Sequence, residues 1–354
     1  MSRVLWLSNE TPNRHGQGGQ RRQYFQIASA AAEGHLVTVG TLSGPQSHGT
    51  VSELAEVVRL PAPGRRRLGL ALGGRRQARL FARSFDRIVV AHSESWLTWR
   101  DYLTGCHTPV FVDMHNVLSS WYSSLGNEGE ARRWSRIEEE ILHRASAVAV
   151  CSARERHALG AGGEKTEVVG HGVSPEEWPF VPRPAARPVI KLFGNWGWAP
   201  NGEGLRWFLD EVWPSLRDHT QMRCEVAGDG WNASQSPAGD GVHFAGRVPD
   251  IAQFLSDAWI VALPVKHGVG APVKYAEALA SGVPLLATAD AVPVHPEAAA
   301  HLSDDPRAWV AWVHGFLDDP ASARINAERS REHTLTQHTW GAVTQPLLRW
   351  LNDT

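Results

Sequence analysis

The sequence predicts an α/β protein made of two doubly wound domains, each with a parallel sheet. Short apolar runs alternate with longer stretches of helical periodicity along the chain, which is typical of β-α-β units. The apolar runs are continuous rather than alternating, as expected for strands that are buried on both faces. At 354 residues the chain exceeds what one hydrophobic core usually supports, so two domains are expected.

The elements follow in order along the chain. The predicted strands cover residues 4–8, 36–41, 88–92, 110–113, 147–151, 167–170, 189–194, 222–227, 242–245, 259–264 and 284–288. The predicted helices cover residues 19–33, 129–144, 202–217, 249–257, 272–281 and 306–317. This alternation favours parallel strands that are joined by crossover helices.

The boundary between the two domains is predicted at a proline-rich connector. Residues 171–190 contain five prolines, and each proline fixes φ and removes a backbone donor. Both halves then begin alike, with an apolar strand, a Gly/Asn-rich turn and a helix. We predict an N-terminal domain over residues 1–172 and a C-terminal domain over residues 173–337, facing each other across a cleft. The last segment either finishes the second domain or returns to the first; we assign residues 338–354 to the first.

Composition excludes several classes of protein. The formal net charge of −2 disfavours nucleic acid as a partner. The three cysteines (Cys106, Cys151 and Cys224) lie far apart, so neither a disulfide scaffold nor a zinc site is expected. We find no secretory signal and no apolar run of about 18 residues, and we expect a cytoplasmic protein. Tryptophan is frequent, at 16 residues, and we interpret most of it as core filling with the indole N–H satisfied.

Arginine is over-represented, which weakens its value as a signal. Of 35 basic residues only four are lysines. Residues 65–87, from Arg65 to Arg87, hold eight of the arginines between leucines. This segment would suit peripheral membrane contact or an anionic acceptor. An ordinary solvated helix is the interpretation that the arginine bias favours.

The most informative stretch is residues 264–284, PVKHGVGAPVKYAEALASGVP. A glycine-rich turn leads into a helix that Pro272 opens and Gly282 ends. The free N–H groups of a helix N-terminus favour an anion such as a diphosphate. Lys274 lies in the first turn and Glu277 lies three residues on, on the same face. The pair is either a phosphate-and-sugar site or an exposed Lys–Glu pair on an amphipathic helix.

The turn after the first strand is also glycine-rich, at Gly16, Gly18 and Gly19. The dinucleotide fingerprint requires a third glycine where Arg21 stands, and no acidic residue ends the second strand, so NAD is disfavoured. A P-loop is missing as well. Residues 113–116 (DMHN) follow another strand, where polar groups face a ligand, and His115 is a candidate hydrogen-bond donor to a substrate.

Together these segments resemble the group 1 (family 4) retaining glycosyltransferases, which have the GT-B fold. The Gly18-Gly19 turn, residues 113–116 and the stretch AVAVCSARER at 147–156 are similar to the family's N-terminal half. Residues 194–201, the stretch FAGRVPD at 244–250 and residues 274–284 are similar to its C-terminal half. The resemblance spans most of the chain. It implies two Rossmann-like domains, a nucleotide-diphosphate-sugar donor held by the C-terminal one and an acceptor held by the N-terminal one.

The resemblance also implies roles for individual residues. Lys274 would contact the diphosphate, Glu277 the ribose hydroxyls and His115 the donor sugar, with His115 and Lys274 as catalytic residues. Other implied donor-binding residues are Gly18 and Gly19 at the diphosphate, Gly194 and Asn195 in the turn after the first C-terminal strand, Arg247 and Val248 near the base, and the backbone amides of Gly270 and Ala271. On the acceptor side we expect His15, Gln17 and Arg21. No metal is expected, and the acceptor would be a saccharide, a lipid carrier or a small metabolite.

The sequence departs from the family's pattern at two places. Most relatives carry two glutamates eight positions apart, and here Val269 stands where the first would be. The usual Arg and Lys after the first C-terminal strand are replaced by residues 195–198 (NWGW). Two alternatives therefore stay open: a sugar-nucleotide epimerase or other enzyme on the same architecture, and a non-catalytic sugar-nucleotide-binding relative.

Overall fold

The computed structural model describes residues 1–44, 49–60, 81–231, 241–267, 272–292 and 300–353. The chain divides into two units, one of Met1–His171 with Trp340–Thr354 and the other of Gly172–Thr339. Each unit is built on one parallel sheet that is covered on both faces. The predicted fold class, two doubly wound parallel-sheet domains, is confirmed.

The sheet of the N-terminal unit has seven strands within the described residues, in the order β3-β2-β1-β4-β5-β6-β7, and all pairs are parallel. The strands are β1 (Arg3–Leu7), β2 (Leu36–Thr41), β3 (Glu56–Arg59), β4 (Arg87–Ala91), β5 (Val110–His115), β6 (Ala147–Val150) and β7 (Thr166–Val168). The strand order reverses between β1 and β4. In such sheets ligands bind outside the carboxyl ends of the strands at this point.

Five helices of the first 171 residues cover this sheet in the described regions. They are α1 (Gly18–Ala32), α2 (Ser93–Leu103), α3 (Leu118–Ser124), α4 (Glu128–Arg144) and α5 (Ala153–Ala158). Helix α4 shows why such segments are helical. The Asn127 side chain caps its first turn by accepting from the Glu130 N–H, and His143 and Arg144 complement the dipole at its last turn.

The sheet of the C-terminal unit has six described strands in the order β10-β9-β8-β11-β12-β13, again all parallel. They are β8 (Val189–Phe193), β9 (Arg223–Ala227), β10 (Val242–Gly246), β11 (Ile260–Leu263), β12 (Leu285–Ala287) and β13 (Ala300–Leu302). The order reverses between β8 and β11, so a ligand-binding edge is expected at their carboxyl ends.

The described helices of this unit are α6 (Ala199–Trp207), α7 (Trp213–His219), α8 (Ile251–Leu255), α9 (Val273–Ser281), α10 (Pro306–Asp318) and α11 (Ala321–Gln337). A π-helical turn, Phe208–Val212, joins α6 to α7 just before Pro214, which lacks the N–H of a regular helix. Helix α9 ends at Gly282, whose φ of 71° is the left-handed conformation that glycine adopts without strain.

The C-terminal segment packs on the N-terminal unit. It forms α12 (Trp340–Val343) and α13 (Gln345–Asn352). Trp340 stacks on Phe25 of α1 at 5.0 Å between ring centroids, and Leu347, Leu348 and Leu351 are buried in the same core. The apolar face of this segment is therefore covered by α1 and the sheet rather than by the unit that precedes it in sequence.

Each sheet separates two hydrophobic cores. Alternate residues of β1 show the division, because Leu5 and Leu7 face one core and Val4 and Trp6 face the other. The largest fully buried side chains include the tryptophans Trp6, Trp96, Trp99, Trp213 and Trp309. Their assignment to core filling is confirmed. The expectation that the indole N–H is satisfied is wrong for Trp96, Trp99 and Trp213, whose buried N–H groups have no hydrogen-bond partner.

Several elements were not predicted from the sequence. Strands β3 and β13 are short strands at the sheet edges. An edge strand pairs with a neighbour on one side only, and these two strands have no long apolar run to mark them in the sequence. Helices α2, α3, α5 and α11 were also missed. Helix α11 buries only Ala327 and Thr334, so its sequence carries almost no apolar stripe.

Candidate functional site

The N-terminal unit gathers polar side chains at the carboxyl ends of β1, β4, β5 and β7. Helix α1 begins at Gly18 after β1, His92 follows β4, His115 ends β5, and His171 comes shortly after β7. Strands β1, β4 and β5 are neighbours in the sheet, and α1 reaches from β1 to the chain after β7. These residues therefore lie together. This is the edge at which doubly wound sheets bind ligands.

Gly19 permits α1 to approach the sheet closely. A Cβ at Gly19 would lie 2.4 Å from Cε1 of His92, so any side chain here would displace the ring. The N–H of Gln17, just before the helix, donates to Oε1 of Gln20 at 3.1 Å, which closes the first turn. Gly18 is half-buried as the first residue of the helix. The helix N-terminus therefore packs directly against His92.

A buried ion pair that the sequence analysis missed fixes α1 to the sheet. The Arg22 guanidinium donates to both carboxylate oxygens of Asp113, at 2.8 and 3.0 Å, and to the carbonyl oxygens of Val169 and Gly170. Arg22 is 0% exposed and Asp113 1%. Burial alone would raise the pKa of Asp113, but Arg22 holds it below its ordinary value. The arginine bias concealed this residue, and Gln26, one turn further along α1, also donates to Asp113.

Three histidine rings surround this pair. His92 and His115 stack in parallel with 4.7 Å between centroids, and His171 meets His115 edge-on at 5.3 Å. His92 and His115 have φ values of 75° and 64°, a left-handed conformation that costs a non-glycine residue about 1–2 kcal/mol. The backbone N–H of His115 donates to Asp113, and that of His92 donates to the Asp113 carbonyl.

The rings of His115 and His171 are held uncharged. Burial lowers the pKa of His115 well below its ordinary value, with His92 and Arg22 adding to the effect. Burial, then Arg22 and His115, lower the pKa of His171 in the same way. Nδ1 of each ring is buried without a hydrogen-bond partner. No group of three or more His, Cys, Asp or Glu in the described ranges is arranged to hold a metal ion.

A buried glutamate supports the loop after His115. Glu155 accepts hydrogen bonds from the Val117 N–H and from the Cys151 thiol, at 3.0 and 2.9 Å. Burial raises the pKa of Glu155 to about 6, against these hydrogen bonds and Arg22. Ser152 caps α5 by accepting from the Glu155 N–H. This is the stretch that resembles the family's segment closing the N-terminal half.

The residues predicted for the acceptor side lie on the loop into α1 and in its first turn. His15 and Gln17 are exposed, and the N–H of His15 donates to the Asn13 side chain at 2.8 Å. Arg21 is half-buried with its guanidinium 5.9 Å from the Phe25 ring centroid. These positions make the side chains of His15 and Gln17 accessible to a molecule in solution.

In the C-terminal unit a tight turn follows β8. Trp196 is buried in this turn, and its indole N–H donates to the Ala227 carbonyl while its backbone N–H donates to the Asp229 carbonyl. A Cβ at Gly228 would lie 1.8 Å from the carbonyl oxygen of Gly194, so glycine is required for this approach. Asn195 is exposed, and its carbonyl accepts from the Asn201 side chain at 2.9 Å.

Lys274, in the first turn of α9, reaches this turn after β8. Its ammonium donates to Oδ1 of Asn201, lies 5.8 Å from the Trp196 ring centroid, and would be 3.5 Å from a Cβ at Gly194. Lys274 is 8% exposed, and burial lowers its pKa to about 7, against the attraction of Glu277. The interpretation as an exposed Lys–Glu pair is wrong, because Glu277 is only 9% exposed.

The remaining predicted residues are less enclosed or lie outside the described part. Arg247 is exposed, and the half-buried Val248 packs against one core of the unit. Gly270 and Ala271 lie outside the described residues, as does most of segment 65–87. The structure thus brings Gly194, Asn201 and Lys274 into contact within one unit, and Asn201 was predicted only as part of a resembling segment.

Comparison with known families matches both halves of the chain. The family described as "Glycosyltransferase Family 4" matches residues 17–177, and the one described as "Glycosyl transferases group 1" matches residues 187–319. The chain belongs to the group 1 glycosyltransferases. The family predicted from the sequence is confirmed. The fold is GT-B, as in the solved glycosyltransferase structures that the chain resembles.

Individual relatives are distant in sequence but similar in fold. A glycogen synthase of Mycobacterium tuberculosis is 24% identical to this glycosyltransferase, with 96% of this chain and 92% of the relative covered. The Anabaena HepE structure in complex with UDP and glucose superposes with a TM-score of 0.75 at 16% identity, covering 100% of both chains. The sucrose-phosphate synthase of Thermosynechococcus elongatus gives 0.75 at 18% identity, covering 99% and 98%.

Helix length and hydropathy bear on membrane insertion. No helix in the described part of this glycosyltransferase combines the length and apolar character needed to cross a membrane.

Proposed function

We propose that this glycosyltransferase moves a sugar from a nucleoside-diphosphate sugar to an acceptor hydroxyl, with retention of the anomeric configuration and without a resident metal. The observation that carries the proposal is the buried ammonium of Lys274 at the start of α9, next to the Gly194 turn. The attraction of Glu277 does not offset the burial of this ammonium, and a diphosphate would supply a further negative partner.

Two sources of positive charge converge at this place. Lys274 is the first, and the positive N-terminal end of the dipole of α9, a nine-residue helix, is the second. Burial lowers the pKa of Lys274 to about 7, and a bound diphosphate would raise it again by its charge. This combination supports a binding site for the leaving group rather than a structural lysine.

The chemistry asked of this site is electrostatic. As the bond between the anomeric carbon and the phosphate oxygen breaks, negative charge grows on the diphosphate, and Lys274 with the helix amides stabilises it. The acceptor oxygen forms its bond to the anomeric carbon on the face that the phosphate leaves. The departing phosphate oxygen takes the acceptor's proton, so no enzyme nucleophile is required.

Other residues receive supporting roles in this proposal. Glu277, one turn after Lys274 on α9, would accept hydrogen bonds from the ribose hydroxyls, while Arg247 and Val248 would lie near the base. His115 would contact the donor sugar, and Gly18 and Gly19 would leave room for the donor at the start of α1. The UDP and glucose in the HepE structure make UDP-glucose the first donor to test.

The experiment is a thermal-shift screen of the full chain against UDP, GDP, ADP and dTDP sugars, since a ligand that binds only the native state raises stability. A donor found in this way is then offered with candidate acceptors, and NMR of the product gives the anomeric configuration. Inversion would contradict the retaining mechanism. A donor that binds without transfer or hydrolysis would favour the non-catalytic alternative. The absence of the family's usual Arg and Lys at residues 195–198 is the feature that supports that alternative.

A further inference from the structure

A chain of hydrogen bonds from the core determines which nitrogen of His92 can carry a proton. The indole N–H of Trp6 donates to Oε1 of Gln23 at 3.2 Å, and both residues are buried. An indole nitrogen is a donor only, so the amide atom that faces it is the oxygen. The other atom of the amide group, facing His92, is therefore the nitrogen Nε2 of Gln23, which lies 3.1 Å from Nε2 of His92.

The consequence for His92 follows from the amide's chemistry. The NH₂ group of Gln23 donates and cannot accept, so Nε2 of His92 must hold a lone pair. His92 is then the neutral tautomer with its proton on Nδ1. Protonation of Nε2 would set two donors against each other at 3.1 Å.

We propose that Trp6, Gln23 and His92 form a positioning relay that holds the stacked ring of His115 as an uncharged hydrogen-bonding group. The proposal rests on the proposed function, in which His115 contacts the donor sugar. His92 lies parallel to His115 with an interplanar angle of 7°, so the state and orientation of one ring set the surroundings of the other.

The charged and titratable groups around the relay act in the same direction. Burial lowers the pKa of His115, with His92 and Arg22 adding to the effect and Asp113 on β5 opposing it. Burial also lowers the pKa of His171, together with Arg22, His115, His92 and Arg21. Asp113 is already engaged by both Arg22 and Gln26. The net effect is to keep the rings of His115 and His171 neutral.

The uncharged state matters for glycosyl transfer. Positive charge grows on the sugar ring as the bond to the leaving group breaks. An imidazolium at the sugar would oppose that charge, whereas a neutral imidazole can still bind a hydroxyl. The relay thus offers the sugar a hydrogen bond without a cation.

The test reads the tautomer directly in the full-length chain labelled with ¹⁵N-histidine. Two-bond ¹H–¹⁵N spectra at pH 7 give the state of each ring nitrogen, and loss of signals in the His92→Asn chain identifies His92. We expect an unprotonated Nε2 and a protonated Nδ1. A proton on Nε2 in the wild-type chain would overturn the relay, and the His92→Asn variant serves only to assign the signals.

The Gln23→Glu variant links the relay to turnover. The carboxylate still accepts from Trp6 but now accepts from Nε2 of His92 as well, so we expect the imidazolium in the spectra. Turnover should fall by about tenfold to 10²-fold, while the KM for the donor changes little. Ala32→Glu, which adds the same charge at the exposed last residue of α1, is the matched control and should retain wild-type turnover.

The outcomes separate the relay from the proposed function. If His92 is an imidazolium in the Gln23→Glu variant and the variant keeps wild-type turnover, the relay plays no part in transfer and the proposal is wrong. If Gln23→Glu does not fold, Gln23→Met removes the donor, and His92 should then show both neutral tautomers. A wild-type chain with the expected tautomer that transfers no sugar would refute the proposed function and leave the tautomer assignment standing.

Discussion

Asp113 accepts two hydrogen bonds from the guanidinium of Arg22, and both side chains are almost completely removed from water. This pair joins α1 to the end of β5, two residues before His115. Removing one member would leave the other as an uncompensated buried charge.

Arg22→Met should therefore destabilise the protein strongly. We expect the free energy of unfolding to fall by about 3–5 kcal/mol, measured by urea denaturation. Arg132→Met, at an exposed arginine of α4, is the control and should change it by less than about 0.5 kcal/mol. Asp113→Asn added to Arg22→Met should recover part of the loss. Equal losses of unfolding free energy in Arg22→Met and Arg132→Met would contradict the role of the pair.

Lys274→Ala should lower turnover by about 10²-fold or more, the scale for removing one donor to a developing negative charge. The measurement is kcat with the donor and acceptor found in the screen. Lys165→Ala, at an exposed lysine of the N-terminal unit, is the matched control. Near-wild-type turnover in the Lys274→Ala variant would reject the role of this ammonium.

The low pKa of Lys274, about 7, should make stability depend on pH. Below pH 7 the folded and unfolded states both hold the proton. Between pH 7 and the ordinary value of 10.5 only the unfolded state holds it, so the free energy of unfolding should rise with pH. The rise due to this group is roughly 1 kcal/mol per pH unit.

Other groups also titrate in this range, so the comparison is with Lys274→Met. The difference in unfolding free energy between wild type and Lys274→Met, followed from pH 7 to 10, isolates the lysine. A difference that stays constant across the range would show that Lys274 is protonated in the folded protein throughout.

Glu277→Gln should weaken binding of the nucleoside diphosphate by about tenfold, because a charged acceptor is lost. Calorimetry with UDP and with inorganic pyrophosphate distinguishes two explanations. A loss confined to UDP supports contact with the ribose. An equal loss with pyrophosphate would mean that Glu277 acts through Lys274, and unchanged affinity for UDP would exclude it from the site.

Transfer should persist without divalent cations, because Lys274 and the helix amides supply the positive charge at the leaving group. We expect turnover in excess EDTA to equal turnover in buffer with Mg²⁺. A loss of activity in EDTA that Mg²⁺ restores would assign the charge neutralisation to a metal instead.

The sequence by itself determined the architecture and much of the family. The runs that became β1, β2, β5 and β8 were clear because strands that are mostly buried on both faces are rich in apolar residues. The glycine-rich entry into α1 and the start of α9 after Pro272 were evident because glycine and proline mark helix boundaries locally. Edge strands and polar helices, such as β3 and α11, leave no such local pattern.

Tertiary structure decided which polar residues meet. Arg22 and Asp113 lie 91 positions apart, and neither residue's surroundings in sequence mark it as half of a buried pair. The Trp6–Gln23–His92 chain likewise joins residues from β1, α1 and the end of β4. Burial turned an apparently exposed Lys274 into an ammonium with a pKa of about 7. Desolvation and hydrogen-bond direction depend on what surrounds a group in space, and a linear pattern records only what adjoins it along the chain.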